Sequence, residues 1–139
     1  MSLSLSDEKR LNVSKYVLDA SAILAYLNDE PGGERLEEII GESCVSAVNL
    51  GEVVTRLSDD EVPEAEARTL VSLLKLEVVS FDTHSAWIAA RLRPLTRSLG
   101  LSFGDRACLA LGLHLALPVV TADRIWKNIE VGVSIELIR

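Results

Sequence analysis

Four acidic side chains stand where short apolar runs end or helical patterns begin: Asp19, Glu52, Asp105 and Asp123. Carboxylate oxygens are the hard ligands that Mg²⁺ and Mn²⁺ prefer. Such an ion makes a bound water more acidic and stabilises the leaving oxygen of a phosphodiester. The four acids are far apart in the sequence, so only the fold could bring them together for hydrolysis of this kind.

Each acid also has a local interpretation. The segments Asn49 to Glu52 and Ser102 to Asp105 resemble capping boxes, in which an acid three residues after the cap satisfies free helix N–H groups. Asp19 and Asp123 are acceptable turn residues. Taken singly, capping or turn formation is favoured for any of them, whereas the four together favour a metal site.

Asp105 is the most informative of the four acids. It precedes the apolar run 107–113, and an acid entering so apolar a helix risks desolvation unless a partner compensates its charge. Several carboxylates held together would also repel one another and raise their pKa values. A divalent cation would relieve both costs.

Short apolar runs and helical periodicities alternate along the chain, and these elements must position the acids. The pattern predicts strands over 16–19, 44–48, 76–81, 118–121 and 133–138, and helices over 22–27, 33–40, 49–57, 64–74, 83–99 and 102–115. Pro94 should bend or interrupt the helix over 83–99. This alternation predicts an α/β fold, a three-layer α/β/α sandwich with a mainly parallel sheet of about five strands. The acids would then meet beyond the carboxyl ends of the strands.

Composition sets further bounds. A chain of 139 residues with 48% hydrophobic content is expected to form one domain. The net charge of −7 argues against a protein that holds nucleic acid by a general basic surface. No apolar stretch is long enough to span a bilayer and no signal-peptide pattern stands at the N-terminus, so we expect a cytoplasmic protein with no membrane partner. Cys44 and Cys108 are expected to be buried thiols.

At this point a family resemblance becomes specific. Four segments, in order, resemble the motifs of PIN domains, particularly the VapC-type toxins of toxin–antitoxin pairs: Val17-Leu18-Asp19-Ala20-Ser21, Ser46-Ala47-Val48-Asn49-Leu50-Gly51-Glu52-Val53, Ser102-Phe103-Gly104-Asp105 and Thr121-Ala122-Asp123. The resemblance covers residues 15–139, which would be the PIN domain. Residues 1–14 would be an N-terminal extension, in part an expression remnant, and are given no function.

The resemblance implies an endoribonuclease with an acidic cleft that holds one or two Mg²⁺ or Mn²⁺ ions and leaves 5′-phosphate and 3′-hydroxyl products. Asp19, Glu52 and Asp105 would be the principal metal-site acids, with Asp123 completing the site directly or through water. The supporting polar groups would be Ser21, Asn49 and Thr121. It also implies a cognate antitoxin that covers or invades the site, often through an arginine, and a homodimer.

Several arginines could contact RNA. Arg106 and Arg124 flank site acids, and a phosphate contact is about as well supported for them as an ordinary surface charge. The cluster Arg91, Arg93 and Arg97 could steer RNA or bind an acidic partner, although the wet face of a helix is the favoured interpretation.

The aromatic and histidine side chains have less specific signals. Trp87 and Trp126 could stack on bases, but packing in a core or an interface is favoured. His84 and His114 show no paired nucleophile and no metal-ligand spacing, so structural roles are preferred.

Other classes of protein with an acid after the first strand fit the sequence less well. Haloacid-dehalogenase-like enzymes place a second acid two residues after the first, and Ser21 occupies that position. Response-regulator receivers need paired acids and a late lysine that are absent at the matching positions. A PIN-like scaffold without activity, or a PIN nuclease of RNA processing outside any toxin system, remains the alternative.

Overall fold

The computed structural model describes residues 14–139, and the predicted N-terminal extension therefore lies outside the described residues except for Ser14. Five strands form one sheet in the order β3-β2-β1-β4-β5, and every pair is parallel. The strands are β1 Tyr16–Leu18, β2 Ser43–Ser46, β3 Glu77–Val79, β4 Val119–Thr121 and β5 Ile135–Leu137. The predicted α/β class and parallel sheet are confirmed.

A 3₁₀ helix over Arg124–Asn128 lies between β4 and β5, and α-helices connect the earlier strands. Their bounds are α1 Ala20–Leu27, α2 Glu34–Ile39, α3 Ala47–Asp59, α4 Glu64–Leu74, α5 Thr83–Thr96 and α6 Phe103–Leu115. Pro94 lies inside α5, which ends two residues later and is followed by a 3₁₀ turn over Arg97–Leu99, so the predicted interruption is found near the predicted place. None of the described helices has the length and apolarity needed to cross a membrane.

Alternation along the central strands builds two cores. Side chains of successive residues in a strand point to opposite faces. Val17, Cys44 and Val119 accordingly belong to one apolar cluster together with α5 and α6. Their neighbours Leu18, Val45 and Val120 belong to a second cluster with α1 to α4. The sheet therefore lies between two helical layers, as the three-layer prediction required.

The segment after β2 corrects two details of the sequence interpretation. The strand ends at Ser46, whose side chain caps α3 by accepting a hydrogen bond from Val48 N at 3.2 Å. Asn49 therefore lies inside α3 and does not cap it, so the capping-box interpretation of Asn49 to Glu52 is wrong. Glu52 accordingly lies in the second turn of the helix, not the first. The apolar run from Cys44 to Val48 concealed the change because Ala47 and Val48 suit either structure.

Candidate acidic active site

Asp19 is held at the centre of the sheet edge by one hydroxyl from the first turn of α1 and one from the end of β4. It follows β1, forms the N-cap residue of α1, and is only 4% exposed. Ser21 Oγ donates to Asp19 Oδ2 at 2.6 Å, and Thr121 Oγ1, from the end of β4, donates to the same oxygen at 2.9 Å. Both hydroxyls thus orient one carboxylate oxygen, and no donor to Oδ1 is found within residues 14–139.

The environment of Asp19 opposes its negative charge. The pKa of Asp19 is raised from 3.8 to about 6: burial is the largest cause, the Ser21 and Thr121 hydroxyls oppose it, and the charges of Asp105 and Glu52 add to it. Desolvation of an ionised carboxylate is costly unless a charge of opposite sign compensates it. A cation beside Oδ1 would supply that compensation.

Asn49 positions Glu52. The Asn49 side chain is fully buried, and its Nδ2 donates to Glu52 Oε1 at 2.7 Å and to the carbonyl oxygen of Gly104 at 2.9 Å. It therefore joins α3 to the start of α6. Its Oδ1 is buried without a hydrogen-bond partner in the described chain.

Gly104 is a site residue that sequence reasoning missed. A Cβ built at this position would lie against the carboxylate of Glu52. Glycine in a helix costs about 1 kcal/mol relative to alanine, so its presence in the first turn of α6 needs another reason. That unfavourable propensity is the signal that could have identified it, because the close approach of Glu52 supplies the reason.

Asp105 is held locally at the start of α6. Its Oδ2 accepts from Ser102 N at 2.9 Å, and Ser102 Oγ accepts from Asp105 N at 3.1 Å. The capping box predicted for this segment is therefore confirmed. Only one carboxylate oxygen takes part in it, so the cap and a ligand role are compatible.

Asp123 is connected to Asp19 through Thr121. Its Oδ1 accepts from Ile125 N at 3.0 Å, and its own N–H donates to Thr121 Oγ1 at 3.1 Å. Ser21 Oγ also accepts from Ala122 N at 2.9 Å. Ser21 and Thr121 therefore fasten the segment that carries Asp123 to the pocket of Asp19.

The donor set fits a hard divalent cation, although it is not arranged as a finished coordination shell. Within residues 14–139, no three His, Cys, Asp or Glu side chains lie close enough together to hold a metal ion. Glu52 is exposed, and the cap hydrogen bonds of Asp105 and Asp123 each use one oxygen. Oxygen ligands suit Mg²⁺ or Mn²⁺, as does a buried carboxylate with no ion pair to any side chain of residues 14–139. A bound ion would need the Glu52, Asp105 and Asp123 carboxylates to turn towards Asp19.

The two arginines beside the acids differ in placement. Arg106 Nη1 donates to the carbonyl oxygen of Ala89 at 2.9 Å, and its guanidinium lies 5.5 Å from the ring centroid of Phe103. Arg106 therefore joins α6 to α5, which opposes its predicted contact with RNA. Arg124 is exposed next to Asp123, and an RNA contact by Arg124 stays a prediction.

The two tryptophans differ in burial, whereas the two histidines lie together. Trp126 is fully buried in the core, as predicted, whereas Trp87 is 68% exposed, so core packing is wrong for Trp87. His84 and His114 face each other with ring centroids 5.0 Å apart at the far ends of α5 and α6. Cys44 and Cys108 are buried thiols, and burial raises the pKa of Cys108 well above its usual value.

Comparisons with known proteins agree with this architecture. A family model described as "PIN domain" matches residues 16–132. Comparison with curated protein sequences gives no significant match.

Solved structures of low sequence identity share the fold. A DNA-bound VapBC from Salmonella typhimurium is 23% identical, with a TM-score of 0.71 over 91% of this chain and 99% of that chain. VapBC2 from Rickettsia felis, bound to a DNA fragment from their promoter, is 19% identical, with a TM-score of 0.69 over 87% and 96%. VapBC-5 from Mycobacterium tuberculosis, a member of the VapBC family of toxin–antitoxin systems, is 24% identical, with a TM-score of 0.57 over 90% and 98%.

Proposed function

Because the chain belongs to the PIN-domain family, we propose that it is a metal-dependent endoribonuclease. The observation that carries this proposal is the buried Asp19 carboxylate, which two hydroxyls orient and which no cationic side chain in the described part of the chain pairs with. We assign Asp19, Glu52, Asp105 and Asp123 as ligands of one or two Mg²⁺ or Mn²⁺ ions. Ser21, Asn49 and Thr121 are their supporting groups.

The protein's own part in the reaction is mainly positioning. Ser21 and Thr121 hold Asp19 Oδ2, so that Oδ1 presents a fixed negative charge. Asn49 holds Glu52 beside the N-terminus of α6. When bound, the divalent ion would supply a more acidic water and stabilise charge on the leaving oxygen of the RNA phosphodiester.

We further propose that the chain is the toxin of a VapBC-type pair, acting in the cytoplasm as a homodimer with a cognate antitoxin. Structural neighbours that are named as toxin–antitoxin complexes support this proposal. A nuclease of RNA processing is the second candidate within the family, and co-purification of a small partner with the natively expressed chain would distinguish them. A stable, partner-free chain in its own cells would contradict the toxin assignment.

The direct test is Mn²⁺-dependent cleavage of a mixed RNA pool by metal-stripped protein. We expect Asp19→Asn and Asp105→Asn to lose cleavage by on the order of a thousandfold, because each removes a charge that holds the ion. Asp82→Asn is the matched control, since Asp82 also caps a helix, through Ser85 N at 2.9 Å, but caps α5 away from the site.

Two outcomes would contradict the proposal. Equal cleavage by the wild type and both site variants would show that a contaminating nuclease acts. Absence of cleavage together with absence of Mn²⁺ binding in calorimetry would favour the inactive scaffold, because a degraded site should gain no stability from the ion.

A further inference from the structure

An exposed stripe of α5 has the composition of a nucleic-acid contact. Trp87, Arg91 and Leu95 follow one another at four-residue spacing, which places them on one face of the helix. Trp87 is 68% exposed and Leu95 64%, and Arg91 is also exposed. Aromatic faces and arginines in this arrangement hold single-stranded nucleic acid by base stacking and phosphate contacts.

The charge of this segment contrasts with that of the rest of the chain. The sequence carries a net charge of −7, yet residues 83–104 contain no Asp or Glu and include Arg91, Arg93 and Arg97. Among residues 14–139, the ion pairs involve none of these three arginines. Their charge is therefore not neutralised by the described chain, and it is available to a polyanion.

A cleft adjoins the stripe. It has a volume of about 510 Å³ and lies between α5 and the C-terminal half of α6. Buried Ile88 and Leu92 form part of its floor, while Arg91 and the paired His84 and His114 line its rim. An apolar floor with hydrogen-bonding groups at the rim suits a base that has left the stack.

The stripe is joined to the acidic edge. Arg106, the residue after Asp105, donates from Nη1 to the carbonyl oxygen of Ala89, which lies midway along α5 between Trp87 and Arg91. RNA bound along α5 would therefore lie on a helix that is hydrogen-bonded to α6, which holds Asp105.

We propose that Trp87, Arg91 and Leu95, with the adjoining cleft, form a binding surface for single-stranded RNA outside the site of cleavage. This inference rests on the proposed ribonuclease function. It explains how a protein with a negative net charge could bind an RNA substrate. RNA is favoured over an acidic protein partner because the stripe offers an exposed indole for stacking in addition to positive charge.

The experiment measures binding of a fluorescently labelled, mixed-sequence single-stranded RNA to the full chain in EDTA, by anisotropy over a range of salt. Trp87→Ala should weaken binding about tenfold, through loss of stacking. Arg91→Glu should weaken it by about tenfold or more and reduce the slope of log affinity against log salt by about one. Circular dichroism melting should change little, because both side chains are exposed.

Arg93→Glu is the matched control. It makes the same change of charge on the same helix. Because Arg93 follows Arg91 by two residues, its side chain lies about 200° around the helix axis from the stripe. We expect less than about a threefold loss of affinity, as only the long-range field changes. Equal losses for Arg91→Glu and Arg93→Glu would overturn the proposed surface in favour of a general charge effect.

A second measurement separates this inference from the proposed function. With Mn²⁺, Trp87→Ala and Arg91→Glu should raise KM for long RNA and leave hydrolysis of bis-para-nitrophenyl phosphate unchanged. If the wild type cleaves RNA but neither substitution changes RNA affinity, the proposed binding surface is wrong and the nuclease function stands. RNA binding that depends on Trp87 and Arg91, in a chain that cleaves nothing, would support the surface and contradict the nuclease.

Other occupants of the stripe would be recognised directly. Binding to polyglutamate in an Arg91-dependent way, without RNA binding, would overturn the proposal in favour of an acidic protein partner. A dimer in light scattering that Trp87→Ala converts to a monomer would overturn it in favour of a contact between two copies.

Discussion

Asp19 and Asp105 both stand at the start of a helix on the same edge of the sheet, and their carboxylates are held in opposite ways. Asp19 is buried, and its orientation depends on Thr121, which is 102 residues away in sequence. Asp105 is partly exposed and is oriented by Ser102, three residues away. The first carboxylate is therefore fixed by the tertiary fold and the second by helix formation alone. The orientation of Asp19 should therefore depend on contacts distant in sequence, and that of Asp105 on the cap of its own helix.

The largest expected difference between them is in stability without metal. The pKa of Asp19 is about 6 in the folded protein and 3.8 is its ordinary value. Between these values the unfolded chain has released the proton that the folded chain retains, so stability falls as pH rises from about 4 to 6. Above pH 6 the ionised carboxylate costs about 3 kcal/mol. In EDTA, Asp19→Asn should therefore make the protein more stable by removing this cost. Asp105→Asn should instead destabilise the protein by about 1 kcal/mol, because it weakens the N-terminal cap of α6.

Urea unfolding of the two variants and the wild type, from pH 4 to 8, measures this difference. The difference in free energy of unfolding between the wild type and Asp19→Asn should increase as pH rises from about 4 to 6 and then stay constant. Saturating Mn²⁺ should stabilise the wild type and leave Asp19→Asn unaffected. An Asp19→Asn variant that is less stable than the wild type at neutral pH in EDTA would contradict the assigned cost of the buried charge.

The next effect concerns the support of Asp19. Thr121→Val removes one of its two hydroxyl donors and should lower Mn²⁺ affinity by about 10- to 100-fold in calorimetry, as loss of a group behind a ligand does. Thr96→Val is the matched control, because Thr96 is also fully buried but its hydroxyl donates to Leu92 O at 2.9 Å. Both variants should lose stability, and equal Mn²⁺ affinities for the two would contradict the role of Thr121.

A third test moves Glu52 without altering its chemistry. Gly104→Ala places a methyl group against the Glu52 carboxylate and should reduce RNA cleavage by about tenfold. Stability should not fall with it, because alanine favours the helix. Gly51→Ala is the control, since a Cβ there meets nothing within 4 Å. Full activity of Gly104→Ala would show that the position of Glu52 does not matter.

The smallest effect is expected at the cap of α6. Ser102→Ala removes the acceptor for Asp105 N and should cost about 1 kcal/mol in urea unfolding. Mn²⁺ affinity should change by less than about threefold, because Asp105 keeps its charge and its freedom to turn. A loss of affinity as large as that of Thr121→Val would make the two carboxylates equivalent and remove the distinction between them.

The same distinction explains how much the sequence could predict. The strand and helix pattern located the layers, because alternation and helical spacing are local, and Ser102 to Asp105 could be identified as a cap for the same reason. The contacts of Asn49 with Gly104, and of Thr121 with Asp19, join residues 55 and 102 positions apart. No local pattern contains such contacts. Sequence similarity to PIN motifs could nominate these residues, but it could not give their hydrogen bonds.

Two further details depended on tertiary packing. The sequence supports a phosphate contact and an ordinary surface charge equally for Arg106, yet its guanidinium donates to the carbonyl oxygen of Ala89 on another helix. The sequence favours packing in a core or an interface for Trp87, whereas the fold leaves it exposed and so excludes the core. In both cases the outcome depends on how the helices pack and not on the local sequence.

The position of β1 between β2 and β4 also sets when the site can exist. Asp19 leaves the ribosome early, but its partner Thr121 and the neighbouring strand β4 come from near the other end of the sequence. At synthesis rates of about 5 to 20 residues per second, the nascent chain waits roughly 5 to 20 s between these two residues. During that interval Asp19 lacks its β4 neighbour and the hydroxyl of Thr121. The order of strands therefore delays completion of the Asp19 pocket until β4 has been synthesised.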